Sequence, residues 1–492
     1  MLQANGPPLD ALKILETGRG VIARCSIGLK TDISKLEKSH PSLHDEYTML
    51  RRQLSLPPFS TFSSAAEPAQ PTLICRRRKA PGLLPPHITT TGPERAEFLR
   101  RIENLEEKIR TFPGFEDFNQ APSHASYTEF AMFGPVVVFN VTEQRSDAII
   151  VAENDIYSLH LNQLRFQDLK ANVARVIGDE RLSKGVPTTR PQRNRELQGI
   201  LHWLWETAVY PVLTRMGLYS DKLRSVLPRV WWVAGGYMGL LPLHAAGDAT
   251  RRTMDYVISS YIPTIQVLQS CRERRRMSFR EHKPKMLLVS APEKLDRQTL
   301  KTNVELESIR EGLQVHQVSY TMLDRPSHDD VLRELPEHHL LHFSRHGYSN
   351  ATDPSKSALE LVCTAEDGAI SQLTVRDLSL IGYEKAQIAY LSACSTAENS
   401  SDELLDEVIH IASAFQLIGF PHVVGTLWEV SDRAAVEVSR LFYEQLGRQM
   451  RNCDESHIAC CLHKALQTYR ESRKVSRAND VPSWASFIYM GA

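Results

Sequence analysis

A histidine and a cysteine each follow an apolar run that has the composition of a buried strand. The segment HLLHFSRHG carries His346 and Gly347 just past one run, and IAYLSACST carries Cys394 just past another. A cysteine is only a few per cent thiolate near neutral pH, and an adjacent imidazole raises the reactive fraction and later protonates a leaving amine. These residue types therefore predict a thiol nucleophile and its base acting on a substrate carbonyl.

Attack on a carbonyl also requires donors for the oxyanion that forms. The backbone N–H groups of Gly347 and Cys394 are the candidates, because glycine lets the main chain approach the substrate closely. The sequence leaves alternatives open at both positions. His342 and His422 are competing candidates for the base in place of His346, and Cys394 has the alternative of a buried strand-end cysteine.

The two runs belong to a region, residues 285–492, in which strand and helix patterns alternate. Such alternation is typical of a mostly parallel sheet covered on both faces, and an inserted segment, ALELVCT, is predicted as an edge strand. In these sheets the functional crevice lies at the carboxyl ends of the strands. Neighbouring strands lie about 4.8 Å apart, so two adjacent strand ends can bring a thiol and an imidazole to one carbonyl.

The preceding part of the chain predicts three further segments. Residues 1–56 have the apolar spacing of helices, and residues 57–93 are rich in Pro, Ser and Thr, as in a linker. Residues 94–284 begin with a charged helix and continue into GPVVVFNVTEQRSDAIIVAENDIYSLHL, which predicts a three-strand meander. Together with residues 285–492, these segments are the predicted domain organisation.

Composition excludes several classes of function. The 492 residues are 42% apolar and 24% charged with a formal net charge of zero, which is the profile of a soluble globular protein. The basic clusters lack interleaved aromatic residues and no apolar run is long enough to span a bilayer, so neither nucleic acid nor membrane is expected as a partner. Eight scattered cysteines without a signal peptide predict a reducing, cytoplasmic location. No metal-ligand cluster or nucleotide loop is evident, so no metal or cofactor is expected.

Several motifs taken together resemble a known family. HFSRHG and LSACSTA, followed by IASAFQLIGFPHVVGTLWEVSD and WASFIYMG, look like the CHAT domain, a caspase- and separase-like clan of cysteine peptidases often fused to tetratricopeptide repeats. The resemblance covers about residues 94–492. The part from LETGRG to LRRQL is similar to the segment located after the repeats in fungal members, which implies that residues 1–56 are the remnant of a repeat-associated region.

The resemblance implies a fold and an activity. The expected fold is a caspase-like α/β arrangement, a mostly parallel sheet flanked by helices, preceded by a β-rich, pseudo-symmetric N-terminal half and a short helical segment. The expected activity is that of a cysteine endopeptidase that cleaves a protein substrate through Cys394 and His346. A regulatory protein or a repeat domain is the expected partner.

The clan's S1 pocket often uses a carboxylate to hold a basic P1 side chain. Asp432, just past GTLWEV, is the first candidate for this carboxylate, and Asp402 and Glu398 are further candidates. Asp432 has the alternative role of a helix N-cap. The sequence also departs from the family pattern, in which small or apolar residues precede His-Gly and a glycine-containing loop follows the cysteine. Here Ser344 and Arg345 precede His346, and residues 398–400 contain no glycine. A catalytically inactive interaction or scaffold module of the same family is therefore the alternative function.

Overall fold

The structure is a computed structural model. It describes residues 6–19, 34–54, 92–115, 118, 124–177, 189–220, 224, 226–273, 284–290, 305–310, 318–344, 347–348, 356–362, 370–379, 383, 385–392, 411–452, 458–472 and 480–492.

The described α-helices, numbered in chain order, vary from one turn to about six. They are α1 (Pro8–Gly18), α2 (Ser34–Ser39), α3 (Pro41–Leu54), α4 (Gly92–Arg110), α5 (His124–Phe130), α6 (Phe166–Ile177), α7 (Arg190–Leu204), α8 (Tyr210–Arg215), α9 (Thr253–Tyr256), α10 (Ile265–Glu273), α11 (His328–Glu334), α12 (Val375–Ser379), α13 (Ile411–Ile418), α14 (Asp432–Asn452) and α15 (Ile458–Ser472). Residues 305–310 are also helical.

The described strands are mostly short. They are β1 (Val136–Val141), β2 (Ser146–Val151), β3 (Ile156–His160), β4 (Arg229–Ala234), β5 (Ile258–Tyr261), β6 (Lys285–Ser290), β7 (Ser319–Asp324), β8 (Leu340–Ser344), β9 (Gly347–Tyr348), β10 (Ala358–Val362), β11 (Ile370–Thr374), β12 (Ile388–Ser392), β13 (His422–Thr426) and β14 (Phe487–Gly491).

The chain forms two compact units. The smaller, Cys25–Gln120, contains α2, α3 and α4, whose apolar faces share a core that includes Leu36, Tyr47 and Ile109. The larger combines Met1–Arg24 with Ala121–Ala492 and contains the remaining elements. The boundaries predicted at residues 56, 93 and 284 stay predictions.

One large sheet organises the larger unit. Among the described residues it has eleven strands in the order β3-β2-β1-β4-β5-β14-β13-β12-β8-β6-β7, and neighbours are parallel except in the pairs β3–β2, β2–β1 and β14–β13. The predicted α/β fold with a mostly parallel sheet flanked by helices is therefore confirmed, and so is the meander, which is β1, β2 and β3. The two halves of the sheet meet where β14 lies beside β5, with Met490 opposite Tyr261.

The central strands form because their side chains are apolar on both faces. The runs MLLVS in β6, LLHFS in β8 and the first four residues of β12 are buried, as is typical of parallel strands covered on both sides. One sequence prediction is wrong here. ALELV forms β10, which lies in the middle of a separate sheet, β11-β10-β9, rather than at the edge of the large one, because β9 and β11 supply local antiparallel partners on both its sides.

The first helix and the residue after it pack on the rest of the larger unit through two buried charged side chains. A carboxylate oxygen of Glu16 accepts from the N–H of Ile265 at 2.9 Å, at the first turn of α10, where free N–H groups favour an anion. Arg19 donates to the carbonyl oxygen of Phe139 at 2.6 Å. Among the described helices, none is both long and apolar enough to cross a membrane.

Candidate functional site

The strands β8 and β12 are direct neighbours in the sheet and run parallel. Their register pairs Ser344, the last residue of β8, with Ser392, the last residue of β12. His346 follows the first serine by two residues and Cys394 follows the second by two residues. The structure thus confirms that the two strands that precede these residues are adjacent and end at the same edge.

The predicted nucleophile and base themselves lie outside the described residues. The same holds for Asp402 and Glu398, two of the three candidates for the substrate carboxylate. Gly347 is described, and it opens β9 opposite Leu359 of β10. The roles given to these residues stay predictions.

The competing bases lie in positions that do not suit the carboxyl edge. His342 is completely buried, its ring stacks on Tyr390 with 5.1 Å between centroids, and its Nδ1 lies 3.1 Å from the hydroxyl of Tyr443. His422 begins β13, so it lies at the amino end of the strand, where its Nδ1 is 2.6 Å from the hydroxyl of Tyr489. Both rings therefore already contact buried or strand-bound tyrosine side chains.

A buried carboxylate lies directly beneath the two strand ends. Glu305, from the helical residues 305–310, accepts from the Oγ of Ser344 at 2.6 Å with one oxygen and from the Oγ of Ser392 at 2.9 Å with the other. The Nε2 of His342 lies 3.4 Å from the oxygen that Ser392 reaches. Glu305 is 4% exposed, so its carboxylate is held by protein groups on several sides.

The electrostatics of this cluster keep Glu305 ionised. Burial by itself would raise the pKa of Glu305, but its contact with His342 and the hydroxyls of Ser344 and Ser392 outweigh that effect and hold the pKa below its usual value. Burial raises the pKa of Tyr390 and Tyr443 well above the ordinary value, and the nearby carboxylate adds to the effect. The Nε2 of His342 faces this carboxylate at 3.4 Å, and its Nδ1 faces the hydroxyl of Tyr443 at 3.1 Å.

The third carboxylate candidate lies at the start of a helix. Asp432 is the first residue of α14 and is exposed. The N–H groups of Ala434 and Ala435 donate to the carbonyl oxygen of Ser431, so Ser431 holds the N-cap position and Asp432 lies in the first turn. A carboxylate there is favourable to the helix, and its assignment to substrate binding stays a prediction.

Sequence reasoning missed Glu305. The only trace in the sequence is the pair of serines that stand two residues before His346 and Cys394, since buried hydroxyls need an acceptor. Among the described residues, no group of histidine, cysteine and acidic side chains is arranged to hold a metal ion.

The chain has similarities to known proteins. The family model of the CHAT domain matches residues 198–492. Among solved structures, separase from Saccharomyces cerevisiae, crystallised with securin, is similar over 81% of this chain, at 11% identity and a TM-score of 0.48. That match covers 33% of the separase chain, so this chain spans about a third of its length.

Two peptidases are similar over smaller parts. Gingipain R of Porphyromonas gingivalis, an Arg-specific cysteine proteinase, matches 66% of this chain and 73% of its own, at 10% identity and a TM-score of 0.41. The Drosophila initiator caspase Dronc matches 42% of this chain and 78% of its own, at 13% identity and a TM-score of 0.24. No curated protein matches the sequence.

Proposed function

The chain belongs to the CHAT domain family, and we propose that it is a cysteine endopeptidase in which Cys394 is the nucleophile and His346 the base. The observation that carries the proposal is the register of β8 and β12, whose last residues, Ser344 and Ser392, are paired. His346 and Cys394 follow this pair by equal offsets. Equal offsets on parallel strands about 4.8 Å apart support a thiol and an imidazole at the same level of one sheet edge.

The alternation of side chains supports the same arrangement. Residues two apart in an extended strand share a face of the sheet. His342 stacks on Tyr390, and Ser344 and Ser392 share one carboxylate, so these two register pairs lie on one face. His346 and Cys394 are the next pair in this series.

In the proposed reaction, His346 takes the Sγ proton of Cys394 and the thiolate attacks the carbonyl carbon of the scissile peptide bond. The electron pair of the carbonyl moves onto its oxygen, where the N–H groups of Gly347 and Cys394 donate to the oxyanion. The C–N bond then breaks, and the protonated His346 gives its proton to the leaving amine. A water molecule, deprotonated by His346, hydrolyses the thioester and restores the thiol.

We assign a basic P1 side chain to the substrate, held by Asp432, with Asp402 and Glu398 as further candidates. An arginine guanidinium and a carboxylate form two parallel hydrogen bonds, which gives selectivity as well as affinity. The start of α14 supports Asp432, because this helix follows β13, and the carboxyl end of β13 lies beside that of β12.

The proposed function includes a protein substrate, a regulatory partner and a cytoplasmic location. The substrate is a protein, and a regulatory protein or a repeat domain controls access to the site, as expected for a family whose members are often fused to repeats. A thiol nucleophile must stay reduced, which agrees with a cytoplasmic location.

The test compares Cys394→Ala with the wild-type chain on a diverse peptide library. We expect the wild type to cleave after basic residues and to react with a thiol-directed probe at Cys394, and we expect the variant to lose both activities. A matched control is Cys460→Ala, which removes a half-buried cysteine of α15 and should leave cleavage unchanged. Undiminished cleavage by Cys394→Ala would refute the proposal, and the wild-type profile fixes the P1 preference.

The second candidate is an inactive interaction module of the same family. The observation in its favour is the departure of the sequence around the site, where Arg345 precedes His346 and no glycine stands among residues 398–400. It predicts that the wild type cleaves no member of the library and that Cys394→Ala folds and binds partners normally.

A further inference from the structure

We propose that Glu305 is a positioning residue, whose buried carboxylate ties the ends of β8 and β12 together and thereby sets the spacing of His346 and Cys394. The inference rests on the proposed function and adds to it a third residue, which comes from a different part of the chain. Glu305 does not touch the substrate in this proposal. It acts through the two strands that lead to the nucleophile and the base.

The contacts have the geometry of a bridge. One carboxylate oxygen of Glu305 accepts from Ser344 at 2.6 Å and the other accepts from Ser392 at 2.9 Å, so each oxygen holds one strand. Both serines are the last residues of their strands, and they are register partners. The bridge therefore lies where the backbone ladder between the two strands ends.

The side chain of His342 makes a third contact with the carboxylate of Glu305. His342 lies two residues before Ser344 on β8, and its Nε2 is 3.4 Å from Glu305. The ring of His342 is itself held by stacking on Tyr390 and by the hydroxyl of Tyr443, which belongs to α14. The carboxylate thus joins four elements: β8, β12, the helical residues 305–310 and, through His342, α14.

Burial makes the arrangement costly unless it is fully partnered. A carboxylate removed from water loses far more solvation than a neutral side chain, and protein interiors retain one only with hydrogen bonds and a compensating charge. The ladder between β8 and β12 does not require an acid at this place, since backbone groups already pair the strands. The carboxylate of Glu305 adds a fixed separation between the hydroxyls of Ser344 and Ser392, which stand two residues before His346 and Cys394.

The charge of Glu305 has a separate electrostatic effect. Under the proposed function His346 and Cys394 continue the two strands, and two residues of a strand correspond to about 7 Å. An anion at the level of the serines would then favour an imidazolium and disfavour a thiolate at the next level. Its removal should therefore lower the pKa of both groups. Both limbs of a bell-shaped pH profile should then move to lower pH, by about half a unit.

The experiment compares Glu305→Gln with Glu307→Gln. The first substitution keeps the shape of the side chain and removes its charge, and the second makes the same change at an exposed position of the same helical residues. In the full chain we would measure kcat and KM for the best library peptide, and the rate at which iodoacetamide alkylates Cys394, followed by mass spectrometry from pH 5 to pH 9. Thermal unfolding would establish that each variant is folded.

For Glu305→Gln we expect kcat to fall about 10- to 100-fold with KM nearly unchanged, and the alkylation profile to move to lower pH. Glu307→Gln should match the wild type. If Glu305→Gln does not fold, the double substitution Ser344→Ala and Ser392→Ala removes the bridge and keeps the acid, and it should show the same loss of kcat.

The outcomes separate the two proposals. A wild-type chain that cleaves nothing and whose Cys394 reacts as an ordinary thiol overturns the proposed function and this inference with it. A wild type with a reactive Cys394 overturns this inference alone in either of two cases: a folded double-serine variant keeps the wild-type kcat, or a folded Glu305→Gln variant keeps the wild-type kcat and pH profile. A loss of thermal stability without a change in kcat or in the profile gives Glu305 a structural role only, and it also overturns the inference.

Discussion

Gly491, the last residue of β14, has a backbone conformation that residues with a side chain rarely adopt. Its φ is 142°, and an added Cβ would lie 2.1 Å from the carbonyl oxygen of Pro421. We expect Gly491→Ala to lower the free energy of unfolding by about 2 to 4 kcal/mol, because both the backbone strain and the clash must be relieved. Urea denaturation followed by tryptophan fluorescence measures the change.

The control for this prediction is Gly199→Ala on α7. Gly199 is exposed, and no atom lies within 4 Å of its added Cβ. Alanine is the better helix former, so this variant should gain up to about 1 kcal/mol. A folded Gly491→Ala variant with wild-type stability would contradict the account of Gly491.

The residues of the candidate site differ in how far the sequence alone indicates them. Cys394 and His346 can be proposed from the sequence, because reactive side chains directly after apolar runs carry a local signal, and their roles stay predictions. Glu305 is not, because its partners Ser344 and Ser392 are distant in sequence and become neighbours only when the sheet forms. Nothing local distinguishes Glu305 from the exposed Glu307.

At the scale of elements, one side chain fastens β14 to the N-terminal half of the sheet. Arg229 of β4 donates to the carbonyl oxygens of Gly491 at 3.2 Å and Ala492 at 2.7 Å, and to the Oγ of Ser260 at 2.8 Å. Its guanidinium also lies 4.2 Å from the centre of the Trp231 ring. These contacts lie at the place where the two halves of the sheet meet.

We expect Arg229→Met to lower the free energy of unfolding by about 2 to 3 kcal/mol, since charge-assisted hydrogen bonds and a cation–π contact are lost while the length of the side chain is kept. Arg251→Met is the matched control. Its ion pair with Glu206 is exposed, at 37% and 43%, so it should cost less than about 1 kcal/mol. Equal losses in the two variants, measured by urea denaturation, would contradict the role of Arg229.

The sequence predicts individual strands better than it predicts which distant strands pair. The meander β1–β3 is predictable because each strand is closed by a polar turn, and the parallel strands are predictable from their apolar runs. The junction of β14 with β5 and the separate sheet around β10 are not, because strand partners at long sequence separation are chosen by tertiary packing.

At the scale of the whole molecule, two buried histidines tie stability to pH. His244 is 6% exposed and His463 is 9% exposed, and the Nε2 of each has no hydrogen-bond partner among the described residues. Burial lowers the pKa of His244 to about 3, and the neighbouring His463 adds to the effect. Burial lowers the pKa of His463 to about 4, and Arg470 and Lys464 act in the same direction.

These pKa values fix the sign of the pH dependence. An unfolded chain protonates both imidazoles near pH 6.5, whereas the folded chain keeps them neutral down to about pH 4 and about pH 3. The unfolded state therefore binds more protons in this window, and stability falls as the pH is lowered through it, by at most about 1.4 kcal/mol per pH unit for each histidine. The carboxyl of Glu305, whose pKa is lowered from 4.5, adds to the loss as the pH falls below about 4.5.

We expect the free energy of unfolding to decrease steadily between pH 6.5 and pH 4.5, and His463→Gln to reduce that slope by about half, because one of the two neutral imidazoles is gone. Urea denaturation at half-unit pH steps measures both slopes. His202→Gln changes a side chain that is 53% exposed, and it should keep the wild-type slope. If His463→Gln lost stability with acid as steeply as the wild type, His463 would not be held neutral by burial, and the acid sensitivity would have to come from other groups.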